Sequence, residues 1–142
     1  MRFWDSSALL SVLAEQPGGP DVAPLLDDDP DVMLWWGTPV ELVSGACRLR
    51  RNGVLDDRDL SLLMTKIDEV VSDADQIDPG EQIRLAALRA VKTHDLRAAD
   101  ALQLAAALVW TGHEPVATGF VCLDKRLRDA AEREGFCVLP GS

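Results

Sequence analysis

Short continuous apolar runs alternate along this chain with longer stretches whose apolar positions recur at a helical period. Phe3-Trp4 predicts a short strand running into Asp5, followed by a helix over Ser6 to Glu15 that ends at Pro17-Gly18-Gly19-Pro20. A short helical stretch, Val22 to Leu26, gives way to Asp27-Asp28-Asp29-Pro30, which predicts a cap and an exit into a solvated loop. Val32 to Trp36 is apolar throughout and predicts a buried strand. The next helix starts at Thr38 and runs to Arg51, stopped by Asn52-Gly53. Asp56 to Ser72 predicts a second long helix, with Leu63, Ile67 and Val70 on its apolar side.

In the second half, Asp78-Pro79-Gly80-Glu81 has the form of a helix start, with Asp at the N-cap, Pro at N1 and Glu at N3. The helix it opens carries Ile83, Leu85, Ala86, Leu88 and Val91 and stops before Thr93-His94. Another helix covers Arg97 to Trp110, a strand Phe120 to Leu123, a helix Asp124 to Glu134, and a last strand Phe136 to Leu139 after Gly135. No repeat, low-complexity tract or long linker divides the sequence, so residues 1–142 are expected to form a single domain. Strand–helix alternation predicts an α/β fold, a three-layer α/β/α sandwich around a mostly parallel central sheet. In such sheets the chemistry gathers at the carboxyl ends of the strands.

Apolar residues make up 47% of the chain and charged residues 27%, enough for a core and unlike a disordered segment. Cys47, Cys122 and Cys137 are odd in number and far apart, which argues against a disulfide framework or a zinc knuckle. Asp5 interrupts any signal-like apolar start, and the longest apolar run, Leu104 to Trp110, is too short to span a bilayer. The expectation is a soluble cytoplasmic protein. Net charge is −10, and the whole acidic excess falls in residues 1–80. That composition excludes passive, charge-driven nucleic-acid binding. An anionic substrate would need local attraction by a few arginines or by bound metal ions. No GxGxxG follows a strand and no GxxxxGK[ST] occurs, so neither dinucleotide nor P-loop phosphate binding is supported.

Four carboxylates carry the candidate chemistry, each beside a plainer explanation. Asp5 and Asp124 both sit where a strand gives way to a helix, where Asp is a favoured N-cap. A parallel sheet would also bring both to one edge. Glu41 completes a capping box with Thr38, although it too follows a strand. Asp100 lies inside a helix that is apolar almost all round, on a polar stripe with Arg97 and Gln103. Buried there, it requires a partner: Arg97 one turn away, or a metal ion. Four carboxylates meeting at one edge repel unless a hard divalent cation such as Mg2+ or Mn2+ joins them. Neither His94 nor His113 is placed to ligate.

Phe3-Trp4-Asp5-Ser6-Ser7-Ala8-Leu9, Val40-Glu41-Leu42-Val43-Ser44, Leu96-Arg97-Ala98-Ala99-Asp100-Ala101-Leu102-Gln103-Leu104-Ala105 and Val121-Cys122-Leu123-Asp124-Lys125-Arg126-Leu127 resemble, in order, the signatures of the PIN domain. The chain is most similar to the VapC-type ribonuclease toxins of bacterial toxin–antitoxin pairs. The resemblance implies a metal-dependent endoribonuclease whose acidic set is Asp5, Glu41, Asp100 and Asp124. Asp5, Asp100 and Asp124 would hold Mg2+ or Mn2+, with Glu41 acting through water. It also implies a cognate antitoxin, an RNA substrate and a homodimer.

One departure concerns Cys122, which stands where many relatives carry Thr or Ser two residues before the last acidic residue. Arg48 and Arg97 are the candidate RNA contacts, since Arg48 shares a helical face with Glu41 and Arg97 lies one turn from Asp100. Arg50, Arg51, Lys125, Arg126 and Arg128 are further basic candidates. The competing readings are a catalytically silent interaction module on the same fold and a receiver-type phosphoacceptor domain. The two serines after Asp5 speak against the receiver.

Overall fold

The computed structural model describes residues 1–141. Its strands are β1 (Arg2–Trp4), β2 (Val32–Trp35), β3 (Asp75–Ile77), β4 (Gly119–Val121) and β5 (Cys137–Leu139). They form one all-parallel sheet in the order β3-β2-β1-β4-β5. The helices are α1 (Ser6–Leu13), α2 (Gly19–Asp28), α3 (Thr38–Arg51), α4 (Asp57–Asp73), α5 (Glu81–Thr93), α6 (Ala98–Trp110) and α7 (Lys125–Glu134). This is the expected three-layer α/β sandwich.

Strand alternation builds the layers. Phe3, Met33, Trp35 and Phe120 join Leu104, Leu108 and Leu127 in the core under α5, α6 and α7. Their strand neighbours Trp4, Val32, Leu34 and Val121 pack on the other face against Leu9, Leu42, Leu63 and Ile67 of α1, α3 and α4. Phe3, Trp4 and Phe120 are wholly buried, and each such side chain contributes about 1.5–3 kcal/mol relative to exposure. The centre of the sheet is therefore its best-anchored part, and the carboxyl ends of β1 and β4 inherit that rigidity. Gly19 lets α2 turn back against α1, because a Cβ there would collide with the Ser11 carbonyl oxygen. Gly135 ends α7 at φ 106, a left-handed stop that L side chains disfavour.

Strand order reverses at β1. From it the chain goes outward to β2 and β3 on one side, while β4 and β5 fill the other. The crevice between the carboxyl ends of β1 and β4 is thus a topological switch point, the place where open α/β sheets bind ligands. Asp5 follows β1 and Asp124 follows β4, so the two flank it.

Several elements differ from the sequence expectation. β3 is an unforeseen edge strand: Asp75 and Gln76 are exposed and only Ile77 is partly buried, so no apolar pattern marks it. Backbone pairing to Met33, Leu34 and Trp35 holds it in place. α2 extends through Asp28, so the acidic run is helix end rather than solvated loop. There Asp28 accepts from the Arg2 guanidinium and Asp29 from the N-terminal ammonium, both at 2.6 Å, tying down the start of β1. Asp78 does not cap α5. The extended Gly80 takes that position without a side-chain bond, and the helix begins at Glu81, two residues later than the Asp-Pro signature implies.

Candidate active site

Asp5 is 2% exposed, and its backbone N–H donates to the Val121 carbonyl at 2.9 Å, which locks the end of β1 against β4. Asp5 holds the N-cap position of α1 but its carboxylate makes no capping hydrogen bond there, although the Ser7 backbone amide in the first turn favours its charge. Burial, then the charges of Asp100 and Glu41, push the Asp5 carboxyl from 3.8 up to about 7; Asp124 adds less, and the Ser7 backbone amide opposes the shift.

Glu41 lies in the first turn of α3, and it is not a cap either. Thr38 is already helical, Gly37 holds the N-cap position without a side-chain bond, and the buried Thr38 hydroxyl faces α6. Glu41 Oε2 instead accepts from Gln103 Nε2 at 2.6 Å. Partial burial pushes the Glu41 carboxyl up, as does the charge of Asp100, while the bonds from Gln103 and Ser6 hold it down.

Asp100 sits in the first turn of α6, half-buried, with its carboxyl raised by burial and by the charge of Asp124. Arg97 opposes that shift, yet the two form no ion pair among the described residues. Asp124 is the one acid whose capping explanation stands, because its Oδ2 accepts from the Leu127 N–H at 3.0 Å. The four carboxylates from four separate segments thus share one electrostatic neighbourhood at the switch point.

A groove of about 710 Å3 opens over this cluster, lined by Glu41, Asp100, Ser6, Ser7, Arg48 and Arg97 among others. Of the four acids Glu41 and Asp100 line it while Asp5 and Asp124 do not, and the Arg48 and Arg97 side chains that share the lining are exposed. Arg48 and Arg97 have no ion-pair partner among the described residues, whereas Arg50 pairs with Asp57, Lys125 with Asp129 and Arg126 with Asp95. Arg128 donates to the carbonyls of Cys122 and Pro140. Of the basic candidates, Arg48 and Arg97 are the two that line the groove.

The oxygen-only donor set suits a hard divalent cation, and burial pushes the Cys122 thiol well up, so no thiolate competes for a softer metal. Among the described residues no three acidic, histidine or cysteine side chains close into a ready cage. His94 is buried at the end of α5 and lies 3.0 Å from Glu134, apart from this groove.

Two contacts escaped the sequence reading. Cys122 Sγ lies 3.9 Å from Asp5 Oδ2, so the residue in the hydroxyl position faces the most buried acid of the site. Gln103, seen only as a member of a polar stripe, reaches across to α3. Its available signal was an amide interrupting the apolar run from Ala101 to Trp110.

A doubly wound parallel fold with an acidic switch point defines the class of molecule, and sequence comparison sharpens it. The PIN domain profile matches residues 2–132, and the chain belongs to that family. Among solved structures it is similar to a "Toxin-antitoxin complex from Klebsiella pneumoniae", at 15% identity and TM-score 0.64, over 89% of each chain. It is also similar to FitAcB from Neisseria gonorrhoeae, at 19% identity and TM-score 0.67, over 97% of this chain and 96% of that one. A structure of FitAB bound to an IR36 DNA fragment aligns at 19% identity and TM-score 0.66, over 98% and 94%. Among curated proteins none matches the sequence. Among the described residues no helix is long and apolar enough to cross a membrane.

Proposed function

We propose that this chain is a Mg2+- or Mn2+-dependent endoribonuclease, the toxin of a toxin–antitoxin pair acting in the cytoplasm. What supports the reading is the mutual charge influence of Asp5, Glu41, Asp100 and Asp124 near the switch point, beside a groove lined by Glu41, Asp100, Arg48 and Arg97. Membership in the PIN family and the likeness to one toxin–antitoxin complex support it. The partners of this reading are a cognate antitoxin that covers the groove and a second copy of the chain.

Asp5 and Asp100 are the principal ligands, Asp124 completes the set, and Glu41 orients a water. A bound Mg2+ or Mn2+ supplies charge neutralisation at a phosphate oxygen and an acidified water. The protein does the rest. Arg48 and Arg97 offer planar donors that draw and orient a phosphodiester despite the chain's −10 charge. The buried position of Asp5 keeps bulk water from screening the charges around it. Glu41, raised but partly open to the groove, is the acid placed to accept a proton from an attacking water.

The absence of a ready cage among the described residues favours one rival, a silent PIN-fold interaction module. Purified chain incubated with a mixed-sequence RNA in Mn2+ or in EDTA separates the two. The nuclease cleaves only with Mn2+ and loses cleavage in Asp100→Asn, which stays folded. Expressed alone the wild type arrests growth, and its antitoxin relieves the arrest. Abundant folded wild-type chain that cuts nothing and harms no cell establishes the silent module.

A further inference from the structure

Gln103 is a costly residue for its position. It is wholly buried in α6, beside Ala101, Leu104, Ala105, Ala106, Ala107 and Leu108, all buried and apolar. Leu or Met would fill that volume without a polar group. The Gln103 amide nitrogen donates to Glu41 Oε2 at 2.6 Å and to Thr38 Oγ1 at 3.2 Å, while its Oε1 has no partner. A buried carbonyl left unbonded is a penalty that packing alone does not call for.

With Glu41 ionised, the amide has only one workable orientation. Reversed, its oxygen would face a carboxylate oxygen at the same short distance, and two acceptors repel. The charge of Glu41 therefore fixes which end of Gln103 faces α3, and the orphaned oxygen is the consequence. In the other direction, Gln103 supplies Glu41 with a donor in a place where burial and Asp100 both oppose its ionised form. Its 2.6 Å length is that of a bond to a charged acceptor. Gln103 lies one turn after Asp100 on α6, so one helix both contributes an acidic residue and holds another at a set position across the groove.

We propose that Gln103 is a positioning residue of the acidic site, clamping the Glu41 carboxylate from α6 so that α3 and α6 present their acids in register. The inference rests on the nuclease reading for its purpose, and its own content is the coupling of Gln103 to Glu41. Gln103 touches neither substrate nor cation in this role.

The test is a double-mutant cycle of Gln103→Leu and Glu41→Ala, with Gln103→Met as a second apolar replacement in case Leu disturbs packing. Two quantities are read: Mn2+ affinity by calorimetry and the single-turnover rate on one RNA. In the wild-type background Gln103→Leu should slow cleavage about tenfold and weaken Mn2+ binding about threefold; in the Glu41→Ala background it should change either by less than about twofold. Equal effects in both backgrounds, or none in either, overturn the proposal, since a purely structural glutamine acts independently of Glu41. A wild type that binds Mn2+ without cutting RNA removes the nuclease reading alone, and the calorimetric cycle still decides Gln103. A wild type that binds no Mn2+ overturns both.

Discussion

The thiol of Cys122 lies 3.9 Å from Oδ2 of Asp5, linking the end of β4 to the end of β1 across the switch point. Both groups are buried, and the thiol, its ionisation pushed well up by burial and by the Asp5 charge, remains a weak donor. Sulfur is long and poorly polarised as a donor, so the contact offers ionised Asp5 little. A hydroxyl would offer more, because an O–H to a carboxylate closes to about 2.5–2.7 Å.

Cys122→Ser should therefore lower the pH at which Asp5 ionises. The midpoint of Mn2+ binding against pH should move down by roughly half a unit to one unit. Calorimetric titrations between pH 5.5 and 8 read this directly. An unmoved midpoint would mean that the sulfur is packing and nothing more.

The shift at Asp5 also sets the pH dependence of the metal-free fold. Below pH 3.8 folded and unfolded chains both hold the Asp5 proton. Between 3.8 and about 7 the folded state keeps a proton that the unfolded chain has lost, so stability falls as pH rises and levels off above that window. The full fall is on the order of 4 kcal/mol, and Glu41 and Asp100 act in the same direction. In EDTA, urea unfolding should show lower stability at pH 7.5 than at pH 5, with most of the difference erased in Asp5→Asn. Mn2+ at one hundred times its Kd should return about 2.7 kcal/mol at pH 7.5. Equal pH slopes for wild type and Asp5→Asn would show that Asp5 is not the strained group.

The sandwich was legible because its central strands are short apolar runs and its helices have clear periods and stops. β3 was hidden because an exposed edge strand is held by backbone bonds to β2, which leave no trace in side-chain polarity. The positions of the four acids were likewise legible as strand ends and as an acid within an apolar helix. Their bonding was not. Thr38-Pro39-Val40-Glu41 reads as a capping box, yet Thr38 is inside the helix, and both polar side chains are engaged by Gln103, 62 residues beyond Glu41. A local motif competed with a tertiary partner and lost, and sequence spacing carries no information on that contest.

Because Glu41 caps nothing, Glu41→Gln should leave the α3 terminus intact. Removing a charge that burial and Asp100 disfavour should hold or slightly raise the melting temperature in EDTA. Metal-dependent cleavage should fall at least tenfold, about 1.4 kcal/mol of transition-state stabilisation. The paired measurement is a melting curve and a single-turnover rate in one buffer. A normal rate would remove Glu41 from the site.

Asp124 poses the opposite problem, since it is demonstrably a cap and also a member of the acidic cluster. Two substitutions separate the roles. Asn is as good an N-cap as Asp, because its side-chain oxygen can still accept from Leu127 N–H. Asp124→Asn should then keep α7 and lose only the charge, apart from a dipole contribution of about 0.3–1 kcal/mol. Asp124→Ala loses both, at a further cost of about 1 kcal/mol for the missing cap. If Asp124 serves the site, the two variants should be equally poor in cleavage while differing in melting temperature, with Ala the less stable. If Asp124 is a cap alone, Asn should cleave like the wild type, and any defect in Ala should follow its lost stability and disappear at lower temperature. Mn2+ affinity supplies the independent reading: a ligand's loss weakens it in Asn and Ala alike, whereas a cap's loss leaves it unchanged in Asn.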